Sequence, residues 1–137
     1  MRPNALLAAA AALALVGCAT GQAALSESKE IEPDQQIAYR SPAPDTVPVT
    51  VVREERWMSP NCPAVVYVQR RPVAFLGPLE RVTLHLPVGY ELLGVQLDCT
   101  GALGFVESLA TVESGHPLLY LVGATGHGNF DIYPNTP

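Results

Sequence analysis

The side chains best suited to chemistry are three cysteines, Cys18, Cys62 and Cys99, and three histidines, His85, His116 and His127. A thiolate can be acylated, oxidised to a disulfide or bound to a metal, and an imidazole can move a proton or hold a metal. Spacing narrows these options. No two histidines stand at the i, i+2 or i, i+4 distance that puts two ligands on one metal, and all three read as solvated strand and turn residues. Cys62 and Cys99 lie far outside Cys-x-x-Cys redox spacing. Ser108 and Ser114 sit in no Gly-x-Ser-x-Gly elbow. Asp98 and Glu107 form a candidate carboxylate pair, but their positions set no separation between them, and solvated surface acids are the plainer reading. No glycine loop follows a strand and opens a helix to cradle a phosphate. The sequence predicts no catalytic residue, no metal and no cofactor.

Cys18 differs in its surroundings. Ala5 to Val16 is an unbroken run of Ala, Leu and Val behind the single positive charge of Arg2. A spanning helix needs about 20 apolar residues, so this run is too short. A positive start, a short apolar core and small residues at its end describe a secretory signal peptide. Leu15-Val16-Gly17-Cys18 closes it in the pattern of a bacterial lipobox. On this reading residues 1–17 are a lipoprotein signal peptide, and Cys18 carries diacylglycerol as the first residue of the mature chain. Each buried methylene contributes about 0.8 kcal/mol, and one chain alone holds only reversibly. The two or three acyl chains of such an anchor, palmitate among them, give durable attachment. Ala19 stands where aspartate would favour the inner membrane. It points to the outer membrane, on its periplasmic face.

Composition sets further bounds. The chain has 137 residues and a formal charge of −5, and Lys29 is its one lysine. An acidic chain of this kind is a poor match for a phosphate backbone, so no nucleic-acid partner is expected. With Cys18 given to lipid, Cys62 and Cys99 remain. Two thiols in an exported domain most simply form a disulfide, with two free thiols or a metal pair as the competing readings. A loop of that length corresponds to roughly 4 kcal/mol in the chain-entropy picture.

The elements that must position these residues fall into two parts. Residues 18–45 hold Glu27, Glu30, Glu32, Asp34 and Asp45, are interrupted by Pro33, Pro42 and Pro44, and have few apolar side chains. They read as the lipidated cysteine and a flexible linker of roughly 30 Å reach. A helical turn within Ser28 to Ala38 is the one element suggested there. Residues 46–137 read as a β domain. Val47, Val49, Val51 and then Arg53 alternate with Pro48, Thr50 and Val52. Further runs follow at Ala64–Val68, Val73–Leu76, Arg81–Leu86, Tyr90–Leu97, Phe105–Val112, Leu118–Val122 and Phe130–Tyr133. Gly, Pro and Asn punctuate them. The pattern predicts an all-β fold, a small antiparallel β-sandwich of about seven or eight short strands.

Several of these segments also carry a resemblance. Val49-Thr50-Val51-Val52-Arg53, Cys62, Val66-Tyr67-Val68, Val73-Ala74-Phe75-Leu76 and Leu86-Pro87-Val88-Gly89, then Cys99-Thr100-Gly101 and Val112-Glu113-Ser114-Gly115, are similar in order to small proteobacterial lipoproteins with a PEGA-like or DUF2846-like β domain. The resemblance implies a fold and a location, and no activity. Gln69-Arg70-Arg71-Pro72 stands where such chains place Asp-Gly or Asn-Gly, which implies a different turn and frees Arg70 and Arg71 to grip a carboxylate or lipid phosphate. The run from Arg53 through Trp57 and Met58 towards Cys62 has an interface composition, although Trp57 would equally cap the core. Trp57, Met58, Arg70 and Arg71 are therefore the candidate partner surface.

The expected function is a non-enzymatic, periplasm-facing lipoprotein of the cell envelope with an accessory or binding role. Its partners are the membrane, through the lipid anchor, and an envelope protein or a component of the cell wall. The alternatives are an inhibitor or immunity-type periplasmic protein and a small metal-binding hydrolase built on the histidines.

Overall fold

A computed structural model describes residues 19–54, 62–98, 104–124 and 130–135. Helix α1 (Ala19–Glu27) and strand β1 (Lys29–Glu30) precede a 3₁₀ turn at Pro33–Gln35. Strands β2 (Thr46–Arg53), β3 (Ala64–Val68), β4 (Arg71–Leu76), β5 (Glu80–Pro87), β6 (Gly89–Leu97), β7 (Val106–Val112), β8 (Leu118–Ala124) and β9 (Phe130–Pro134) follow. They form the expected sandwich, in two sheets ordered β1-β5-β2-β8-β9 and β4-β3-β6-β7. The first sheet is mixed, because β1–β5 and β2–β8 pair in parallel. Strands β2 and β8 are separated in sequence by the whole second sheet, so no tight hairpin constrains their direction.

Alternation explains the core. Val47, Val49 and Val51 of β2 and Val82, Leu84 and Leu86 of β5 face Ala64, Val66 and Val68 of β3 and Leu93, Val95 and Leu97 of β6. A strand sends successive side chains to opposite faces, so a period of two fills the space between sheets. Pro48 fits inside β2 because the pairing with β8 starts one residue later, at Val49–Leu118. The hydrogen bond it cannot donate has no partner strand at that level. Arg53 takes the next inward position of β2 and is 0 % exposed.

The N-terminal segment departs from the flexible linker expected over residues 18–45. Helix α1 lies against β2. The Lys29 N–H donates to the Leu79 carbonyl at 2.9 Å and the Ile31 N–H to the Arg81 carbonyl at 3.0 Å. Farther on, the Ile37 N–H donates to the Val73 carbonyl at 2.7 Å, and the Tyr39 carbonyl accepts from the His85 N–H at 3.0 Å. Val73 and His85 belong to opposite sheets, so residues 28–45 form a strap across the open edge between β4 and β5. The physical reason is that ordering here does not need a hydrophobic run. Ile31 enters the core and Ala38 packs against it, and backbone ladders with glutamine amides do the rest. Gln35 Nε2 donates to the Phe75 carbonyl at 3.2 Å and to Glu80 Oε2 at 3.1 Å. Gln36 Nε2 donates to the Thr83 carbonyl at 3.1 Å. The helical turn suggested within 28–38 is the short 3₁₀ turn, where Gln35 Oε1 accepts from the Glu32 N–H at 3.0 Å.

Candidate functional site

The sequence-predicted residues do not gather in one place. Cys18, Trp57, Met58, Cys99 and His127 lie outside the described residues. Cys62 is buried and disulfide-bonded. It precedes β3, whereas Arg70 follows it, so the length of β3, ~17 Å, separates them. Arg70 and Arg71 accordingly occupy the opposite end of the sandwich from the strand ends that flank residues 55–61. Arg53, the start of the run with interface composition, is internal. Its Nη1 donates to the Cys62 carbonyl at 2.6 Å and the Leu76 carbonyl at 2.9 Å, joining the segment before β3 to the end of β4. Burial pushes the guanidinium down from its ordinary range, and the Glu80 carboxylate acts the other way. Glu54, next in sequence, accepts from the Tyr133 hydroxyl at 2.9 Å. Burial first, and then this carboxylate, push the Tyr133 phenol up.

Arg70 is already engaged. Its Nε and Nη2 donate to the two carboxylate oxygens of Glu107 at 2.9 and 3.1 Å. This is the planar two-bond fork that arginine makes with a carboxylate. The hydrogen bond with Glu107 raises the guanidinium, and the same bond holds the Glu107 carboxyl below its ordinary range. The β3–β4 turn is also not the different turn expected from Gln69-Arg70-Arg71-Pro72. Val68 pairs with Arg71, leaving Gln69 (φ 51°) and Arg70 (φ 63°) as the two central residues. Both are left-handed, as in the Asn-Gly hairpin turn. Side chains replace glycine's conformational freedom: Gln69 Nε2 donates to Glu91 Oε2 at 3.0 Å, and Arg70 is held by Glu107. Arg71 is exposed as the first residue of β4.

Histidines and acids are likewise dispersed. His85 is on β5 and His116 in the turn before β8, with β2 between those strands. His116 Nδ1 lies 2.9 Å from the Ser114 carbonyl. Among the described residues, no group of three or more His, Cys, Asp and Glu could hold a metal. Glu107 lies opposite Gly94 in the ladder, and Asp98 is four residues farther on, just past the end of β6. That is ~13 Å of backbone, and the Glu107 carboxylate is bound to Arg70.

What the structure does assemble is the outward face of the second sheet, which sequence reasoning missed. Phe75, Val65 and Gln96 align across β4, β3 and β6, and Tyr67 follows Val65 on the same face. They line a groove of about 380 Å³ with Pro72 and Asp98. Its walls are braced. Phe105 lies over Gly94, where a Cβ would come within 2.8 Å of the Phe105 ring at Cε2 and closer still at Cζ. Phe105 meets Tyr67 edge to face with ring centroids 5.0 Å apart, a favoured aromatic geometry. The Tyr67 hydroxyl donates to Gln96 Oε1 at 3.3 Å. The Asp98 N–H donates to the Pro63 carbonyl at 2.8 Å, fixing the groove's end to the residue after Cys62. The available signal was the alternation that sets Val65, Tyr67, Gly94 and Gln96 on one side. Only folding shows that Phe105 covers Gly94.

Comparison with known proteins adds little. No family model matches the chain, and no curated protein matches it. Among solved structures, the chain is similar to the NMR structure of a protein from Eubacterium rectale, at 9% identity over 69% of this chain and 92% of that one, with a TM-score of 0.46.

Proposed function

We propose that this is a non-enzymatic, lipid-anchored binding protein of the cell envelope. Acyl chains on Cys18 hold it at the periplasmic face of the outer membrane, and it engages an envelope protein or a cell-wall component. The reading includes a Cys62–Cys99 disulfide as a staple of the exported domain. The observation that carries it is the short apolar run ending in Leu15-Val16-Gly17-Cys18. The docked strap sharpens what such an anchor does. Residues 28–45 lie on the sandwich and α1 lies against β2, so α1 is the one element between Cys18 and the strap. Its nine residues give a length of ~14 Å. A lipid on Cys18 then holds the domain against the membrane and does not let it range on a long tether.

The test is metabolic labelling with an alkyne analogue of palmitate, followed by membrane fractionation. The native chain takes the label and sediments with outer membrane; Cys18→Ser takes no label and stays soluble. Label on the Cys18→Ser chain, or none on the native chain, sinks the reading.

A further inference from the structure

We propose that the groove on the outward face of the second sheet binds a neutral saccharide. The proposal names a ligand class for the binding role above, and it stands on the groove alone, independent of Cys18. Size permits a small ligand: about 380 Å³ falls at the lower end of the ~300–1,000 Å³ range of ligand clefts.

The chemistry of the lining selects the class. Among the described residues, Asp98 is the one carboxylate of the lining, and no Lys, Arg or His lines the groove. With a net charge of −5 on the chain, phosphates, sulfates and uronic acids are disfavoured. Val65, Pro72, Phe75 and the Tyr67 ring give an apolar floor and ledge. Polar groups of both senses stand beside it. The Tyr67 hydroxyl is donated to Gln96 Oε1, and the Gln96 amide also carries the Nε2 donors. The Asp98 carboxylate supplies acceptors only. Residues 96 and 98 are two positions apart, ~7 Å along the strand. A sugar ring matches this arrangement: its faces carry C–H groups suited to an apolar ledge, and its hydroxyls both donate and accept. A polyproline peptide matches less well, because its carbonyls are acceptors and would confront the Asp98 carboxylate.

The ring support argues for a preformed site. Gly94 admits Phe105, Phe105 braces Tyr67, and Tyr67 orients Gln96. Side chains ordered before binding lower its entropic cost.

The test titrates the full chain, purified in detergent, with an N-acetylglucosamine tetramer, following amide shifts by NMR. The expected result is saturable binding, with shifts at Tyr67 and Gln96. Phe75→Ala and Gln96→Ala each weaken it by about tenfold or more. Asp98→Ala, at an exposed position, leaves the fold intact and also weakens binding. Tyr90→Ala, on the same face outside the groove, leaves it unchanged. A proline decapeptide and tri-lysine are the comparators. The proposal is overturned by absence of saturable saccharide binding, by binding that all three groove variants leave untouched, or by binding of a comparator in place of the sugar. The same titration on the Cys18→Ser chain separates the two readings. Failed acylation with intact sugar binding leaves the groove standing, and the reverse leaves the anchor standing.

Discussion

The two sheets present outward faces of opposite character. On the five-stranded sheet, Val52 and Leu121 are 0 % and 2 % exposed. Yet alternation turns them away from the space between the sheets. Helix α1 lies against β2, Thr50 and Thr83 bring their hydroxyls to 3.4 Å across the ladder, and Glu54 holds Tyr133. On the four-stranded sheet, Tyr90 and Leu109 are 72 % and 63 % exposed. There the described chain braces its aromatic residues laterally and leaves the groove open. One face supports the molecule, and the other is available to a ligand. A period-two pattern separates inward from outward, but it carries no information about what covers the outward side.

Equivalent charge substitutions on the two faces give the largest contrast. Val52→Asp places a carboxylate where no water reaches, and should cost about 3–5 kcal/mol, the scale of an uncompensated buried charge. Leu109→Asp adds the same group to a solvated position and should change stability by no more than ~0.5 kcal/mol. Urea unfolding followed by circular dichroism reads both. If the two midpoints fall together, the supposed asymmetry between the faces is wrong.

Much of this architecture was legible in the sequence, and the failures are instructive. Ala64–Val68 appears as a strand with the bounds read for it, because β-branched and aromatic residues there meet clear turn signals. Arg81–Leu86 needed only one residue added at each end. The strap was missed because its contacts are main-chain bonds and glutamine amides, to which hydropathy is blind. The Glu32-Pro33-Asp34-Gln35 segment did carry a local signal: a capping-box spacing with proline at the first helical position. Arg53 failed in another way. Its place in the alternation points inward, while Trp57 and Met58 give the run that it opens an interface composition. The structure shows the alternation prevailing, with carbonyl acceptors supplied by residues 62 and 76. The groove depends on Phe105 lying over Gly94, an encounter set by strand pairing and invisible to local pattern.

The supported face should also reveal itself in alkali. On this face the Tyr133 phenol is pushed up by burial first and then by Glu54, and in the core between the sheets the Tyr120 phenol is pushed up by burial. A folded-state value raised above the unfolded one, ~10 for tyrosine, gives stability that is fully present below that pH. It is lost as pH rises, because the unfolded chain releases the proton first. Thermal melts should therefore fall as pH rises past ~10, and Tyr133→Phe should flatten part of that decline while Tyr120 maintains the rest. An alkaline limb identical in native and variant proteins would remove Tyr133 from the account.

The smallest expected effect lies on the open face, at the Arg70–Glu107 fork. Arg70 is exposed and Glu107 half-buried, so solvent screens the pair; its principal role is geometric, holding a left-handed turn that lacks glycine. The Arg70 hydrogen bond depresses the Glu107 carboxyl. A depressed folded-state value gives stability that is present above the unfolded value, ~4.3 for glutamate, and lost as pH falls through the folded one. Glu107→Gln should therefore lower the melting temperature slightly at neutral pH, and the difference should close in acid. Arg70→Ala should do the same, and combining the two should add little, since either change alone breaks the fork. Arg70→Gly separates the turn from the pair: it loses the fork but gives the backbone a residue that accepts positive φ without strain. It should thus be less harmful than Arg70→Ala. Equal losses for the alanine and glycine variants would mean that the left-handed conformation at residue 70 carries no measurable cost.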